Sequence, residues 1–398
     1  MPNKPLTGIK VVDFTRVLAG PYCAMLLADL GADVVKVEMP GSGDAIRRQG
    51  PPFFHGNGMT YLAANRNKRS LGLDLKADRG NAIARRLCMA ADVVIENFRP
   101  DVMPRLGLGY DELSQSNPRL IYASISGFGA TGPDSVTGGF DLTVQALGGY
   151  MSVTGAADGR PIKLGTSAFD LIAGMNCQAA IMAALLQRIS TGRGQKVETS
   201  LLEGQVVFLA DLALDYLMHG TLPRKHGAAH ANRVPCKVFR AADGWLLIDA
   251  SRQDRFVALL GILGRSKLAD DTRFADALAR SRNAEALYEM LDAAIASRTC
   301  SELRGELDAD AVPCTRINDI EAALAHCRAT QRDMIHIVRH PVYGELPQVG
   351  SAASYSAFDI HAGWTAPPLP GEHSAEVLRD WLGISQNEVD VLAADRII

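Results

Sequence analysis

The chain has 398 residues, more than one core of about 150 residues would need, so two domains are expected. Hydrophobic residues make up 47% and charged residues 21%, the balance of a globular protein. A net charge of −3 and a pI near 6.3 lack the basic excess of a nucleic-acid binder, though a few local cations suffice for a small anion. The opening stretch MPNKPLTGIKVVDF has no long apolar run before a cleavage site, and the apolar stretch 179–186 is stopped by Gln187 and Arg188. Neither a signal peptide nor a membrane partner is therefore expected. The seven cysteines are odd in number and none has CxxC spacing, which argues against a disulfide framework or a metal site and for a cytoplasmic location.

In chain order, Ile9–Phe14 reads as a strand, and a helix follows with Pro21 in its first turn and Gly31 at its end. Strand 32–38, a helix over about 80–90, strand 92–96, another helix and strand 120–125 continue the alternation. Strands separated by helices predict an α/β fold with a parallel sheet. The nearly continuous apolar run 171–187 predicts a buried helix ended by Thr191-Gly192-Arg193-Gly194, and 203–219 predicts one more. The character changes near Gly220. Residues 221–235 read as a linker or site loop, and 237–248 as a hairpin turning at Asp243-Gly244. Helical patterns over 255–304 complete a smaller α+β domain. The expected division is 1–220, 221–330, and a segment 331–398 returning to the large domain, with short strands near 341–348, an extended 366–371 and final helices.

Asp170 precedes the apolar helix. Its carboxylate suits a helix N-cap, or a nucleophile half desolvated beside a helix start, and the two roles are compatible. Asn97, Arg99 and Arg105 follow a strand, where α/β folds bind ligands and where Arg can hold phosphate. Ser124–Pro133 is a glycine-rich loop after another strand, suited to cradle a ligand or merely to turn the chain. After the first strand stands Leu18-Ala19-Gly20-Pro21 rather than GxGxxG, and neither GxxxxGK[ST] nor GxSxG occurs. These absences disfavour a nicotinamide or flavin enzyme, a P-loop ATPase and an elbow-type serine hydrolase.

Segments 8–44, 65–76, 91–109, 117–133, 191–195 and 367–373 (PPLPGEH) together resemble the class III CoA-transferases, the formyl-CoA and carnitine CoA-transferase family. The resemblance implies a Rossmann-like large domain built from both chain ends, a small middle domain and two chains interlocked as a homodimer. It places the catalytic aspartate at Asp170, and CoA contacts at Val17, Leu18, Ala19, Leu73, Lys76, Asn97, Phe98, Arg99 and Arg105. It implies no tightly bound cofactor, with a CoA thioester as substrate and a short carboxylic acid as co-substrate. The family's usual Arg after the second strand is Met39 here, which implies either weaker CoA binding or a substitute in Arg16, Arg47 or Arg48.

Two rivals are weighed against a transferase. In an α-methylacyl-CoA racemase of the same fold, a proton-moving His stands where this chain has Phe140. A non-catalytic acyl-CoA binder would not need Asp170. The stretch His226–His230 with Val234-Pro235 resembles family members that use succinyl-CoA and a dicarboxylate. His230, with nearby Arg233, or alternatively Arg66, is then the candidate for the distal carboxylate, unless 226–235 is only a polar linker.

Overall fold

A computed structural model describes residues 4–398. The chain divides into two compact units. One comprises the chain up to Tyr150 with Leu164–Met218 and Arg332–Ile398, and the other Met151–Lys163 with His219–Gln331. Met151–Lys163 thus groups with the second unit, not with the 1–220 span that the sequence suggests.

Six strands of the larger unit form its sheet: β1 (Lys10–Asp13), β2 (Asp33–Glu38), β3 (Lys68–Gly72), β4 (Val93–Glu96), β5 (Ile121–Ser126) and β6 (Lys196–Ser200). The order is β3-β2-β1-β4-β5-β6, and every pairing is parallel. Strands bearing Val and Ile on both faces suit a sheet covered on both sides. Successive residues point to opposite faces, so Val11, Val34, Val93 and Ile121 enter one core while Val12, Val35, Val94 and Tyr122 enter the other.

The first core is closed by α1 (Ala19–Asp29) and by a 24-residue helix, Ala168–Thr191. The second is closed by Asp78–Ala90 and by Ser374–Leu382 and Gln386–Ala394 from the far end of the chain. The 24-residue helix has the length and composition to cross a bilayer, but Phe169, Ala173, Cys177, Ile181 and Leu185 form one buried stripe at helical spacing. The sequence predicts a buried helix over 171–187; the stripe is buried, but Leu186 and Ile189 on its other face are exposed. It ends where Gly192 takes a left-handed conformation (φ 70°) and the last-turn Arg188 pairs with Asp92 at 2.9 Å.

The single helix expected over 203–219 is two, Leu201–Phe208 and Ala210–His219, broken at Ala210 with a φ of 39°. Strand β6 has no counterpart in the sequence reading, because its Lys196, Glu198 and Ser200 hide the apolar pattern. The returning hairpin pairs Ile335–His340 with Gly344–Val349, so Pro341 lies in the turn, not in a strand.

The second unit holds a three-stranded antiparallel sheet in which Cys236–Ala241 and Gly244–Asp249 form the expected hairpin. Its two-residue loop is Ala242-Asp243, one position earlier than the Asp-Gly pair suggests. Helices Gln253–Ile262, Ala284–Ile295 and Cys300–Ala309 pack Phe256, Leu291 and Leu303 against Phe239 and Leu246.

Candidate active site

Strand order reverses at β1 and β4, and in open α/β sheets the crevice beyond the carboxyl ends of such strands takes ligands. Two adjoining cavities lie there. The larger, about 560 Å³, is lined by Leu73, Lys76, Phe98, Arg99 and Arg105, together with Phe14, Arg16 and Met39. The smaller, about 240 Å³, is lined by Val17, Leu18, Ala19, Asn97, Phe98 and Asp170, with Arg16, Gly127, Gly139 and Phe140. Arg16 and Phe98 border both, so the two form one path from a cationic end to a carboxylate. Every CoA-contact position drawn from the resemblance lies on it.

Asp170 sits in the first turn of α3 (Ala168–Thr191), below α2 (Asp141–Leu147). It is not the N-cap. Ser167 holds that position without a side-chain cap bond, and the first-turn amide of Phe169 donates instead to Asp141 Oδ1 at 2.8 Å. Asp141 in turn accepts from Gln145 Nε2 at 2.5 Å. The capping work thus falls to Asp141, and among the described residues neither oxygen of Asp170 has a hydrogen-bond partner. Burial pushes the Asp170 carboxyl up to about 7, and the like charge of Asp141 adds to the rise. The helix N-terminus favours the anion, but desolvation wins.

The far wall is bare backbone. A Cβ on Gly127 would stand 2.6 Å from the Gly139 Cα, and one on Gly139 equally close to the Gly127 Cα. Only glycine at both positions lets the loop after β5 cross the 138–140 segment. Of the two roles the sequence allows the Ser124–Pro133 loop, cradling a ligand or merely turning the chain, its place beside Asp170 favours the first. Phe140, 67% exposed, reaches the same cavity as Asp170. Of the described residues lining it, none is a histidine and Asp170 is the single carboxylate.

The β1–α1 turn forms the near wall. Asn97 holds it by a reciprocal pair of 2.8 Å bonds, accepting the Arg16 N–H and donating to the Arg16 carbonyl. The Arg16 guanidinium lies 4.9 Å from the Phe98 ring centre. Val17 has a φ of 69°, a left-handed conformation that costs a β-branched residue about 1–3 kcal/mol.

Of the three substitutes for the cation missing at Met39, two are engaged elsewhere. Arg47 is buried against Glu38 at 2.6 Å and also donates to Asn57 and the Pro368 carbonyl, while Arg48 donates to the Ser42 carbonyl. Arg16 alone borders the path. Lys76 and Arg99 are exposed at its mouth, and Arg105 leans on Asp101 at 3.0 Å.

Arg66 is not in the site. It is 4% exposed, bound to both Asp29 oxygens at 3.0 and 2.6 Å and to the Val349 carbonyl, and stacked 3.9 Å from the Trp364 ring centre. Nothing local in the sequence marks Asp29, 37 residues earlier, as its partner. His230 belongs to the second unit, where it is exposed and its Nδ1 accepts the Asn232 amide; Arg233 pairs there with Asp249.

A Rossmann-ordered sheet with a buried carboxyl at the end of a cation-lined groove defines an α/β protein whose cleft has the shape and charge for a long anionic ligand. Comparison with known proteins is more specific. The profile of CoA-transferase family III matches residues 6–374. A succinate–glutarate CoA-transferase of Agrobacterium fabrum is 39% identical, over 96% of this chain and 97% of that protein. The mouse succinyl-CoA:glutarate CoA-transferase is 35% identical, over 99% of this chain and 90% of its own length. The crystal structure of a CaiB/BaiF family protein from Brucella suis superposes with a TM-score of 0.86 at 36% identity, covering 95% of this chain and all of that one. The chain belongs to CoA-transferase family III.

Proposed function

We propose that this enzyme transfers CoA from succinyl-CoA to a short dicarboxylic acid, with Asp170 as the acyl carrier. The observation that carries the reading is the unpartnered Asp170 carboxyl, close to ionisation at neutral pH, at the inner end of the cation-lined groove. The donor and acceptor class follow from the substrates for which the Agrobacterium and mouse relatives are named.

Arg16, Lys76, Arg99 and Arg105 hold the CoA phosphates, and Leu73 and Phe98 supply apolar surface. The thioester passes Val17–Ala19 to Asp170. The carboxylate attacks the thioester carbonyl, the C–S bond breaks, and CoA leaves as thiolate from a succinyl-aspartyl anhydride. The thiolate attacks the aspartyl carbonyl, releasing succinate and forming an aspartyl-CoA thioester. The acceptor carboxylate attacks that thioester and expels the thiolate. The thiolate then attacks the acceptor's carbonyl, giving the new thioester and a free Asp170 carboxylate. Each exchange is split into easier steps.

Phe140, in the place of the racemase base, cannot move a proton, which favours transfer over racemisation. The active form is an interlocked homodimer in the cytoplasm. Ala210–His219 has no buried residue, and Leu214, Leu217 and Met218 stand exposed on it beside Val207 and Phe208 of Leu201–Phe208, an apolar face that a second copy covers. The free cysteines suit a reducing compartment.

Mass spectrometry after incubation with succinyl-CoA tests the mechanism. The expected result is an acyl or CoA adduct on Asp170, absent in Asp170→Asn. Exchange of the α-proton in deuterated water with no adduct would favour racemisation instead, and undiminished function in Asp170→Asn would leave only a binder.

A further inference from the structure

Beneath the near wall lies a lattice of buried charges that the transfer steps do not use. Lys36 Nζ, fully buried, donates to the Thr15 carbonyl at 2.8 Å and meets Asp44 Oδ2 at 3.1 Å. The same Asp44 oxygen accepts the Val17 N–H at 3.2 Å, while Oδ1 accepts the Ile46 N–H at 3.1 Å. Asp44 is itself fixed by its backbone N–H, which donates to Glu38 Oε2 at 2.7 Å. On the other side, Lys68 Nζ meets Asp13 Oδ2 at 2.9 Å, and Asp13 Oδ1 accepts the Thr15 N–H at 2.9 Å.

Lys36, Asp13 and Asp44, all essentially inaccessible, thus converge on the backbone of Thr15–Val17, and Lys68 fixes Asp13 from behind. The residue they hold is in a conformation that a β-branched side chain avoids unless its surroundings impose it. Val17 and the two residues after it form the wall between the cationic groove and Asp170.

We infer that Asp44 is a positioning residue for acyl-CoA: its carboxylate, fixed by Lys36, holds Val17 left-handed and so sets the wall along which the thioester reaches Asp170. The inference rests on the reading of the groove as the CoA site. Asp44 touches no substrate and acts through the Val17 amide. Without it Val17 relaxes out of the left-handed region and carries Leu18 and Ala19 with it. Glycine at position 17 has no such preference and keeps the turn open to the bound geometry.

The test compares Asp44→Asn in two backgrounds, wild type and Val17→Gly. Asn retains the acceptor for Ile46 but turns an N–H toward the Val17 amide and Lys36. The readouts are KM for succinyl-CoA, kcat, and the Kd of CoA by calorimetry. In the wild-type background Asp44→Asn is expected to raise KM and Kd roughly tenfold with a smaller change in kcat, and in the Val17→Gly background less than about threefold. A general loss of folding would weaken both backgrounds alike, so equal losses in the two, with wild type binding CoA normally, overturn the inference and leave the transferase reading standing. Failure of the wild-type protein to bind CoA would overturn both.

Discussion

Asp170 combines an exposed route with a desolvated carboxyl, and the sign of its titration follows. The nucleophile is the anion, so adduct formation from succinyl-CoA should rise with pH through a midpoint near 7, far above an ordinary carboxyl. The same shift works against the fold: the neutral form is preferred when folded, so stability associated with Asp170 is intact below the unfolded value of about 4 and is lost as pH rises through 7. Asp170→Asn should therefore melt above wild type at pH 8 and match it at about pH 4, which paired thermal melts would show. Asp141→Asn keeps an acceptor for the Phe169 amide but removes the like charge. It should move the midpoint of adduct formation to lower pH, though not to the ordinary range, because burial is the larger cause. An unmoved midpoint would mean that desolvation acts alone. Arg16→Met retains the stem against Phe98 and deletes the cation, and KM for succinyl-CoA should rise about tenfold with kcat nearly constant if Arg16 replaces the cation absent at Met39.

At the scale of elements, the wall facing Asp170 depends on a close backbone crossing. Gly139→Ala places a methyl 2.6 Å from the Gly127 Cα, and both backbones belong to the wall facing Asp170. The expected cost is about 1–3 kcal/mol of stability, with activity falling further than stability predicts. Denaturant unfolding beside initial rates measures the two; an unchanged rate would place the crossing outside the working site. What the sequence disclosed and what it hid divide along the same line. Strands β1, β2, β4 and β5 show as Val- and Ile-rich runs because local pattern alone produces them. Strand β6 does not, since its identity comes from pairing with Tyr122–Ser126. The segments of the groove were legible because they repeat a family order. The tasks of Asp141, Asp44 and Arg66 were not, because each is fixed by partners 28, 27 and 37 residues away.

For the whole molecule, the apolar face of Leu201–Phe208 and Ala210–His219 sets an expectation about assembly. Leu217→Lys, on a residue 77% exposed in the single chain, should destabilise the proposed dimer, and light scattering would then find monomer or aggregate. Interlocking adds a kinetic signature that simple docking lacks. Isotopically light and heavy dimers, mixed and followed by native mass spectrometry, should yield no hybrid until the chains are unfolded and refolded together. Rapid hybrid formation would exclude linked rings.

The route of the chain across its own sheet also bears on how the protein is made. All six strands have been synthesised by Ser200, yet one face of that sheet is covered by Val377, Leu378, Trp381, Val389 and Leu392. At roughly 5–20 residues per second, a ribosome takes on the order of ten seconds or more to supply them. Until then the part of that face not covered by Asp78–Ala90 stays open to solvent, whereas the second unit has all its segments once Gln331 is made. The larger unit is consequently the one that needs shelter during translation. In the linked pair proposed above, the same interval is when a partner chain can pass through before the ring closes.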